Sequence, residues 1–325
     1  MTNTNAQNKA VTIDELPGVL RSIHPAKRSP VVFDSPHSGR DYPAKAIFNH
    51  ACTREHVRYV EDSLVDELIA DCTKSGATLL SALIPRSYID FNRPRDCLHL
   101  PDIRGDWNKV EYDPHTSRFA LRGAGVVPVK TGQGLSAFLY HHGNKPDADD
   151  INARLREYWD PYHNKLASII KNLHEEFGAS YHINCHSMPR TCAIEDIVLG
   201  DRYGDSASPN FTEFVKSTLE QHPAVKRNKW SVGINTGLAT PLSGEEIVRK
   251  HGNPAHNIHS LQLEIKRMHY IDEQTRRPNA GYLDVKMIFE DLAQAVTDYA
   301  LKNAHALNLS EKLRQNEPEG PHPAP

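Results

Sequence analysis

Two apolar segments separated by a helical pattern restrict this chain more than any other feature of its sequence. Residues 30–33 and 78–84 are short apolar runs typical of buried strands. Between them, residues 54–74 carry apolar side chains at helical spacing, which predicts a helix with one buried face. A strand, a helix and a second strand in this order favour a parallel or mixed sheet covered by helices. We therefore expect an α/β fold with a mixed, mainly parallel central sheet.

The remainder of the chain continues this alternation. Residues 149–177 predict a long helix that ends at Gly178, a plausible C-terminal cap. Residues 181–185 and 259–265 predict two further strands, and residues 285–301 predict a last long helix.

Length and composition bound the domain organisation. The chain has 325 residues, which is roughly two domains at about 150 residues each, but it shows no repeat and no hinge-like linker. We expect one domain over 13–310, between disordered termini at 1–12 and 311–325 that are polar or rich in proline. Within it, residues 93–134 have little periodicity and predict a long excursion over the surface, a feature that tends to be functional.

Charge and cysteine content exclude several classes of protein. The 38 Lys and Arg residues nearly balance 41 Asp and Glu residues, so no basic field is available for a nucleic acid or an anionic membrane. No segment approaches the roughly 20 apolar residues that span a bilayer, and the N-terminus lacks a signal-peptide pattern. The five cysteines form no Cys-x-x-Cys pair, which argues against a disulfide framework and a thiolate zinc site. We expect a cytoplasmic protein with no nucleic-acid or membrane partner, and its oligomeric state is unknown.

Histidine is abundant, with 19 residues, and two of them directly follow predicted strands. His37 follows the first strand, and His186 follows the strand at 181–185. Open α/β sheets bind ligands beyond the carboxyl ends of their strands, so these histidines could meet over one crevice. Neutral imidazole is a common zinc ligand, and a catalytic zinc keeps three protein ligands with one position open to water.

The third ligand of such a site would be a carboxylate. Glu61 and Asp62 both lie in the helical pattern that follows the His37 loop. The alternative for each of these residues is an ordinary structural role, as a hydrogen-bonded loop histidine or a solvated acid.

A second group of polar residues follows the strand at 78–84. Arg86, Asn92 and Arg93 could clamp an acidic substrate, because a guanidinium forms a planar fork suited to a carboxylate. Asp90 allows a different interpretation, in which it neutralises one of the arginines in a buried ion pair.

Glu264 lies within the last predicted strand, where a packing residue is expected. Near a metal it would serve as a general base that takes a proton from water. Alternatively it shares a solvated face of the strand with Gln262. A serine hydrolase is a weak alternative, because Ser38 and Ser187 neighbour histidines without any nucleophile elbow.

Taken together, these segments resemble the N-formylglutamate amidohydrolase family. The matches follow the family's order over most of the chain, from His37 to Tyr270. They comprise residues 35–39 (SPHSG), 61–62 with 65–68, 86–94 (RSYIDFNRP), 159–166 (WDPYHNKL), 184–189 (NCHSMP), 198–203 (VLGDRY), 244–252 (GEEIVRKHG) and 261–264 (LQLE). Each segment is weakly specific alone, whereas the ordered series is specific.

The resemblance implies a zinc-carboxypeptidase-like, three-layer α/β/α fold and hydrolysis of N-formyl-L-glutamate to formate and L-glutamate. It implies that His37, Asp62 and His186 hold Zn²⁺, with Glu61 as the fallback ligand, and that Glu264 is the general base and acid. The family's usual context would be the last step of histidine breakdown.

By the same resemblance, Asn92 and Arg93 hold a substrate carboxylate, and Arg86 assists. Asn184 departs from the pattern, since the family usually has Asp two residues before the second histidine. Two other functions stay open: an amidohydrolase for another N-acyl amino acid or short peptide with a free carboxylate, and a non-catalytic binder of acidic metabolites that has lost its metal.

Overall fold

One eight-stranded sheet organises the part of the chain that the structure describes. The structure is a computed structural model and describes residues 11–43, 52–109, 118–131, 138–140, 142–238 and 242–315. The strands are β1 (Thr12–Leu16), β2 (Leu20–His24), β3 (Val31–Ser35), β4 (Thr78–Ala82), β5 (Ser180–Met188), β6 (Ile197–Gly200), β7 (Val232–Ile234) and β8 (Ile258–Lys266). Their spatial order is β1-β2-β4-β3-β5-β8-β6-β7.

The centre of the sheet is parallel and its margins are mixed. Strands β4, β3, β5 and β8 are parallel neighbours. On one side β2 pairs antiparallel with β4, and β1 pairs antiparallel with β2. On the other side β6 is antiparallel to β8 and parallel to β7. The prediction of a mixed, mainly parallel sheet is confirmed, and the carboxyl ends of the four central strands meet at one edge.

Helices cover the sheet on both faces. They are α1 (Arg54–Arg58), α2 (Val65–Leu68), α3 (Arg118–Leu121), α4 (Ala148–Arg154), α5 (Asp160–Phe177), α6 (Pro209–Gln221), α7 (Pro223–Asn228), α8 (Glu246–His251) and α9 (Tyr282–Gln315), and a π-helical turn at Leu155–Trp159 joins α4 to α5. Alternate residues of β3 serve opposite cores, as expected of a strand buried on both faces. Val31 and Phe33 pack with α2, α6 and α9, whereas Val32 packs with α4 and α5. The three-layer α/β/α prediction is therefore confirmed.

The long helix predicted at 149–177 is confirmed and ends as expected. Gly178 adopts a left-handed conformation with φ of 76°, and its backbone N–H donates to the carbonyl of His174. The predicted strands are also present, but β5 is longer than expected and runs through His186. That histidine therefore lies in a strand, with its orientation fixed by the sheet, rather than in a loop.

The prediction of one helix over 54–74 is wrong. Helix α1 ends at Arg58, and α2 begins only at Val65 after Leu64 adopts a left-handed φ of 65°. Tertiary hydrogen bonds explain the break. The backbone N–H of Asp62 donates to the carbonyl of His37, and the hydroxyl of Ser38 donates to the carbonyl of Asp62. These bonds occupy backbone groups that a helix would use.

The remaining expectations concern the excursion and the termini. The described parts of 93–134 contain short helical turns and irregular chain, as the lack of periodicity predicts, but not all of the segment lies on the surface, because Leu98, Val126 and Val127 are buried in the core. Strand β1 begins at Thr12, and α9 continues to Gln315, beyond the expected domain boundary at 310. Residues 1–10 and 316–325 lie outside the described ranges. Among the described helices, none combines the length and the apolar character needed to cross a membrane.

Candidate active site

Three side chains from separate parts of the chain converge at the carboxyl edge of the sheet. His37 lies just after β3, His186 lies near the end of β5, and Asp62 lies between α1 and α2. One ring nitrogen of each histidine and one oxygen of Asp62 lie within 4.8 Å of one another. The two ring centroids are 4.7 Å apart, and all three side chains are buried. The structure thus brings together the three residues that the sequence predicts as metal ligands.

Asp90 orients His37. The Nε2 atom of His37 lies 2.8 Å from Oδ1 of Asp90, and its Nδ1 lies 3.3 Å from Oδ2 of Asp62. Burial alone would raise the pKa of the Asp90 carboxyl, but the charge of Arg86 and the contact with His37 hold that pKa well below its usual range. An ionised Asp90 only accepts, so Nε2 carries a hydrogen, and Nδ1 is the ring atom that faces Asp62.

His186 has the same relation to Asp62. Its Nδ1 lies 3.0 Å from Oδ2 of Asp62, and its Nε2 lies 2.7 Å from Oδ1 of Asn184. Burial is the main cause that lowers the pKa of His186, which favours the neutral imidazole that a metal requires. Both histidines therefore direct the same ring atom, Nδ1, at one carboxylate oxygen.

Arg267 fixes the other oxygen of Asp62. Its Nη2 donates to Oδ1 at 2.8 Å, and the hydroxyl of Ser187 lies 3.3 Å from the same oxygen. Burial alone would raise the pKa of Asp62, but the contacts with His186 and His37 and the charge of Arg267 hold it well below its usual range. The carboxylate thus stays ionised and keeps Oδ2 for the histidines. Arg267 is not among the site residues that the sequence predicts, and its only signal in the sequence is a charge directly after β8.

Glu61, the fallback ligand, has a different environment. Arg58 donates to both of its carboxylate oxygens at 2.8 and 2.9 Å, and the hydroxyl of Ser63 donates to it at 2.7 Å. The group of possible metal-binding residues contains Asp62 and not Glu61. Of the two neighbouring acids, the structure brings only Asp62 to the histidines.

Glu264 lies beside His186 on the neighbouring strand. The two residues are register partners in the parallel pair β5 and β8, and the amide of Gln262 donates to Glu264 at 3.1 Å. Burial, followed by repulsion from Asp62, raises the pKa of Glu264 to about 8, against the opposing charges of Arg86 and Arg267. A carboxyl group with a pKa near neutrality is suited to exchange protons during catalysis. The alternative of a fully solvated strand face does not hold, because Glu264 is only partly accessible.

The predicted clamp residues line one cleft with this cluster. The cleft has a volume of about 590 Å³, and Arg86, Asn92, Arg93, His37, His186 and Glu264 are among its lining residues. The Nε of Arg86 donates to Asp90 at 2.8 Å, so the predicted buried ion pair exists alongside the contact of Asp90 with His37. Arg93 stacks on Phe119, with its guanidinium carbon 3.6 Å from the ring centroid.

Asn92 is engaged inside the protein. Its Oδ1 accepts from the backbone N–H of Ile247 at 2.9 Å, and its Nδ2 donates to Gln262 at 3.2 Å. Helix α5 and the turn before it hold the backbone on both sides of Asn92. The indole N–H of Trp159 donates to the carbonyl of Arg93 at 3.1 Å, and Nε2 of His163 lies 2.8 Å from the carbonyl oxygen of Phe91. Residues 159–163 (WDPYH) thus support the segment that carries Asn92 and Arg93.

The surface excursion contributes two further cations to the cleft. Arg122 and Lys130 both line it, together with Phe119. Within the described ranges neither Arg122 nor Lys130 forms an ion pair, whereas Arg86 pairs with Asp90. Unpaired cations at a cleft attract anionic ligands. The sequence predicts a functional excursion, but no local pattern singles out these two residues within it.

A serine nucleophile finds no support in the described part of the chain. The hydroxyl of Ser38 contacts Ser35 and donates to the carbonyl of Asp62. The hydroxyl of Ser187 contacts Asp62 and accepts from Arg267. Neither hydroxyl lies within hydrogen-bonding distance of a histidine base, which a serine hydrolase requires.

Comparison with known proteins places this geometry in context. The family model described as N-formylglutamate amidohydrolase matches residues 29–271. An N-formylglutamate deformylase of Pseudomonas aeruginosa is 27% identical over 256 residues, covering 76% of this chain and 84% of that protein. An N-formylglutamate deformylase of Pseudomonas putida is 25% identical over 259 residues, covering 76% and 83%. The crystal structure of an N-formylglutamate amidohydrolase from Ralstonia eutropha JMP134 superposes with a TM-score of 0.78 at 28% identity, covering 88% of this chain and 99% of that one.

Proposed function

Because the chain belongs to the N-formylglutamate amidohydrolase family, and is therefore a hydrolase of linear amide bonds, we propose that it hydrolyses N-formyl-L-glutamate to formate and L-glutamate. The observation that carries the proposal is the convergence of His37, Asp62 and His186 beside Glu264, in a cleft lined by cations. The named activity of its relatives supports the same substrate.

The donor set fits a zinc ion. Nδ1 of His37 and Nδ1 of His186 lie 3.3 and 3.0 Å from Oδ2 of Asp62, and two imidazoles with one carboxylate form the three-ligand set of a catalytic zinc site. We propose that His37, Asp62 and His186 hold Zn²⁺. When bound, it would polarise the acyl oxygen and lower the pKa of a water molecule.

Glu264 performs the proton transfers in this proposal. As a carboxylate it accepts a proton from the attacking water, and as a carboxylic acid it donates that proton to the leaving amine nitrogen. Its raised pKa suits both states near neutral pH. Arg267 takes no part in the chemistry, because its guanidinium is committed to Asp62 and Ser187.

The cations of the cleft bind the two carboxylates of the substrate. We assign Arg86 and Arg93 to one carboxylate, as the sequence predicts, and Arg122 with Lys130 to the other. Asn92, also predicted to bind substrate, contributes mainly by positioning Arg93, since its amide is engaged with Ile247 and Gln262. Fixing both ends of the substrate would orient the amide over the metal ligands.

A substrate panel tests the proposed function. Purified protein supplied with zinc is expected to release equal amounts of formate and L-glutamate from N-formyl-L-glutamate. Its kcat/KM is expected to be higher for this compound than for N-acetyl-L-glutamate, N-succinyl-L-glutamate and N-formyl-L-glutamine. A preference for another acyl group would support the alternative of a different N-acyl amino acid, and no hydrolysis of any of them would contradict the proposal. The cytoplasmic location and the place in histidine breakdown stay predictions.

A further inference from the structure

A chain of buried polar side chains lies behind His186. Asp34, in β3, has no exposed surface, and its carboxylate contacts three groups. Nδ2 of Asn184 lies 2.7 Å away, Nε2 of His182 lies 2.8 Å away, and the hydroxyl of Tyr162 lies 2.7 Å away. The Oδ1 atom of Asn184 in turn lies 2.7 Å from Nε2 of His186. Asp34 is therefore connected to a predicted metal ligand through one amide.

The charge of Asp34 determines the direction of every hydrogen bond in this chain. An ionised carboxylate only accepts, so the NH₂ group of Asn184 must face it. The amide oxygen of Asn184 then faces His186, and it can only accept. Of the two acceptors beside His186, Asn184 Oδ1 lies nearer to its ring nitrogen (2.7 Å from Nε2) than Asp62 Oδ2 does (3.0 Å from Nδ1), which favours the hydrogen on Nε2 and leaves Nδ1 to a metal. Asn92 Nδ2, which donates to Gln262, also lies 3.1 Å from this Nε2, a longer contact than the 2.7 Å to Asn184 Oδ1.

We propose that Asp34 is a positioning residue for the candidate metal site, acting through Asn184 to fix the tautomer and the orientation of His186. This inference rests on the proposed role of His186 as a metal ligand. The carboxylate of Asp90 contacts His37 directly. The carboxylate of Asp34 reaches His186 only through the amide of Asn184. Partners of this kind behind a ligating histidine govern metal affinity.

The variant Asp34→Asn removes the constraint. An amide at position 34 can donate or accept, so Asn184 is free to turn and His186 loses its assured acceptor. We expect zinc affinity to fall by about 10- to 100-fold, the range found for partners behind metal ligands. Competition for Zn²⁺ with a chromophoric chelator measures the affinity. ¹H–¹⁵N spectra of the imidazoles in zinc-depleted protein report whether His186 still carries its hydrogen on Nε2.

An exchange variant separates this effect from a general loss of structure. In Asp34→Asn/Asn184→Asp, the amide of residue 34 donates to the carboxylate of residue 184, which accepts from His186. His182 can adapt by changing tautomer, because its Nδ1 lies 2.7 Å from the hydroxyl of Ser260, which either donates or accepts. We expect this double variant to recover most of the lost zinc affinity and the Nε2–H tautomer.

Asp201→Asn is the matched control. Asp201 is also buried, and Asn235 donates to it at the same distance of 2.7 Å, but among the described residues its carboxylate contacts Asn235 and Thr212 and none of the three proposed metal ligands. The control is expected to retain zinc affinity. An unchanged zinc affinity and His186 tautomer in Asp34→Asn would overturn the proposal, as would an equal loss in the control. If Asp34→Asn does not fold, a folded exchange variant that lacks the Nε2–H tautomer would overturn it.

The tautomer separates this inference from the proposed function. Should the wild-type protein bind no zinc, the proposed metal site fails. The spectra of zinc-depleted wild-type and variant proteins would still show whether Asp34 fixes the tautomer of His186.

Discussion

Replacing Glu264 by glutamine removes the proposed base while preserving its shape. The amide oxygen of the new side chain can still accept from Gln262, which donates to Glu264 at 3.1 Å. The three proposed zinc ligands are unchanged, so Glu264→Gln is expected to bind as much zinc as wild type. Turnover should fall by about 10²- to 10⁴-fold, the usual contribution of a general base, which corresponds to about 3 to 5 kcal/mol of activation free energy.

The pH dependence gives a second and more specific signature. Glu264 must be ionised to accept a proton, so kcat/KM is expected to rise with pH through its pKa. Burial and the charge of Asp62 place that pKa at about 8, and the charge of a bound cation would lower it. The rising limb should therefore lie at or below pH 8, and it should be absent from the residual activity of Glu264→Gln.

The assays are formate release over a range of N-formyl-L-glutamate concentrations, which gives kcat and kcat/KM at each pH, together with zinc content per chain and thermal unfolding. Glu61→Gln is the control, because Glu61 is a buried acid bonded to Arg58 and Ser63 and lies outside the predicted ligand set. Near-normal turnover in Glu264→Gln, or a rising limb that persists in it, would refute the assignment of the base.

Three further predictions concern the choice of metal ligand, the second carboxylate site and a buried histidine in β8. Asp62→Asn should lose most zinc binding, whereas Glu61→Gln should retain it; equal zinc contents by mass spectrometry would contradict the choice of ligand. Arg122→Gln and Lys130→Gln should each lower kcat/KM for N-formyl-L-glutamate but leave kcat/KM nearly unchanged for N-formyl-L-glutamine, which has an amide in place of the second carboxylate. A similar loss for both compounds would argue against a second carboxylate site. Burial lowers the pKa of His259 to about 4, so below pH 6.5 the unfolded chain binds more protons than the folded chain, and stability falls as pH falls. Between pH 6 and 4.5, the free energy of unfolding measured with urea should fall less steeply in His259→Asn than in wild type, by up to about 1.4 kcal/mol per pH unit. Identical slopes in the two proteins would exclude this contribution.

The strand-end argument predicted the positions of the two histidines because it depends only on local sequence and sheet topology. His37 and His186 each lie near the carboxyl end of a predicted strand, and parallel neighbours bring such ends together. The same argument applies to Glu264 in β8, the strand next to β5.

Other parts of the site depend on contacts that no local pattern encodes. The helical spacing at 54–74 is real, but hydrogen bonds with His37 and Ser38 interrupt the helix at Asp62. No local pattern singles out Arg267 or Asp34, and only the folded chain shows what they contact. The sequence predicts Asp90 as an ion-pair partner of an arginine, and the structure adds that its other oxygen orients His37.

A zinc-edge anomalous difference map from crystals of the zinc-loaded protein would locate the metal and its ligands. We expect one strong peak per chain, roughly 2.0–2.2 Å from Nδ1 of His37, Nδ1 of His186 and Oδ2 of Asp62. A peak bound through Nε2 of either histidine, a peak at Glu61, or zinc bound elsewhere with these three side chains in contact only with one another would contradict it.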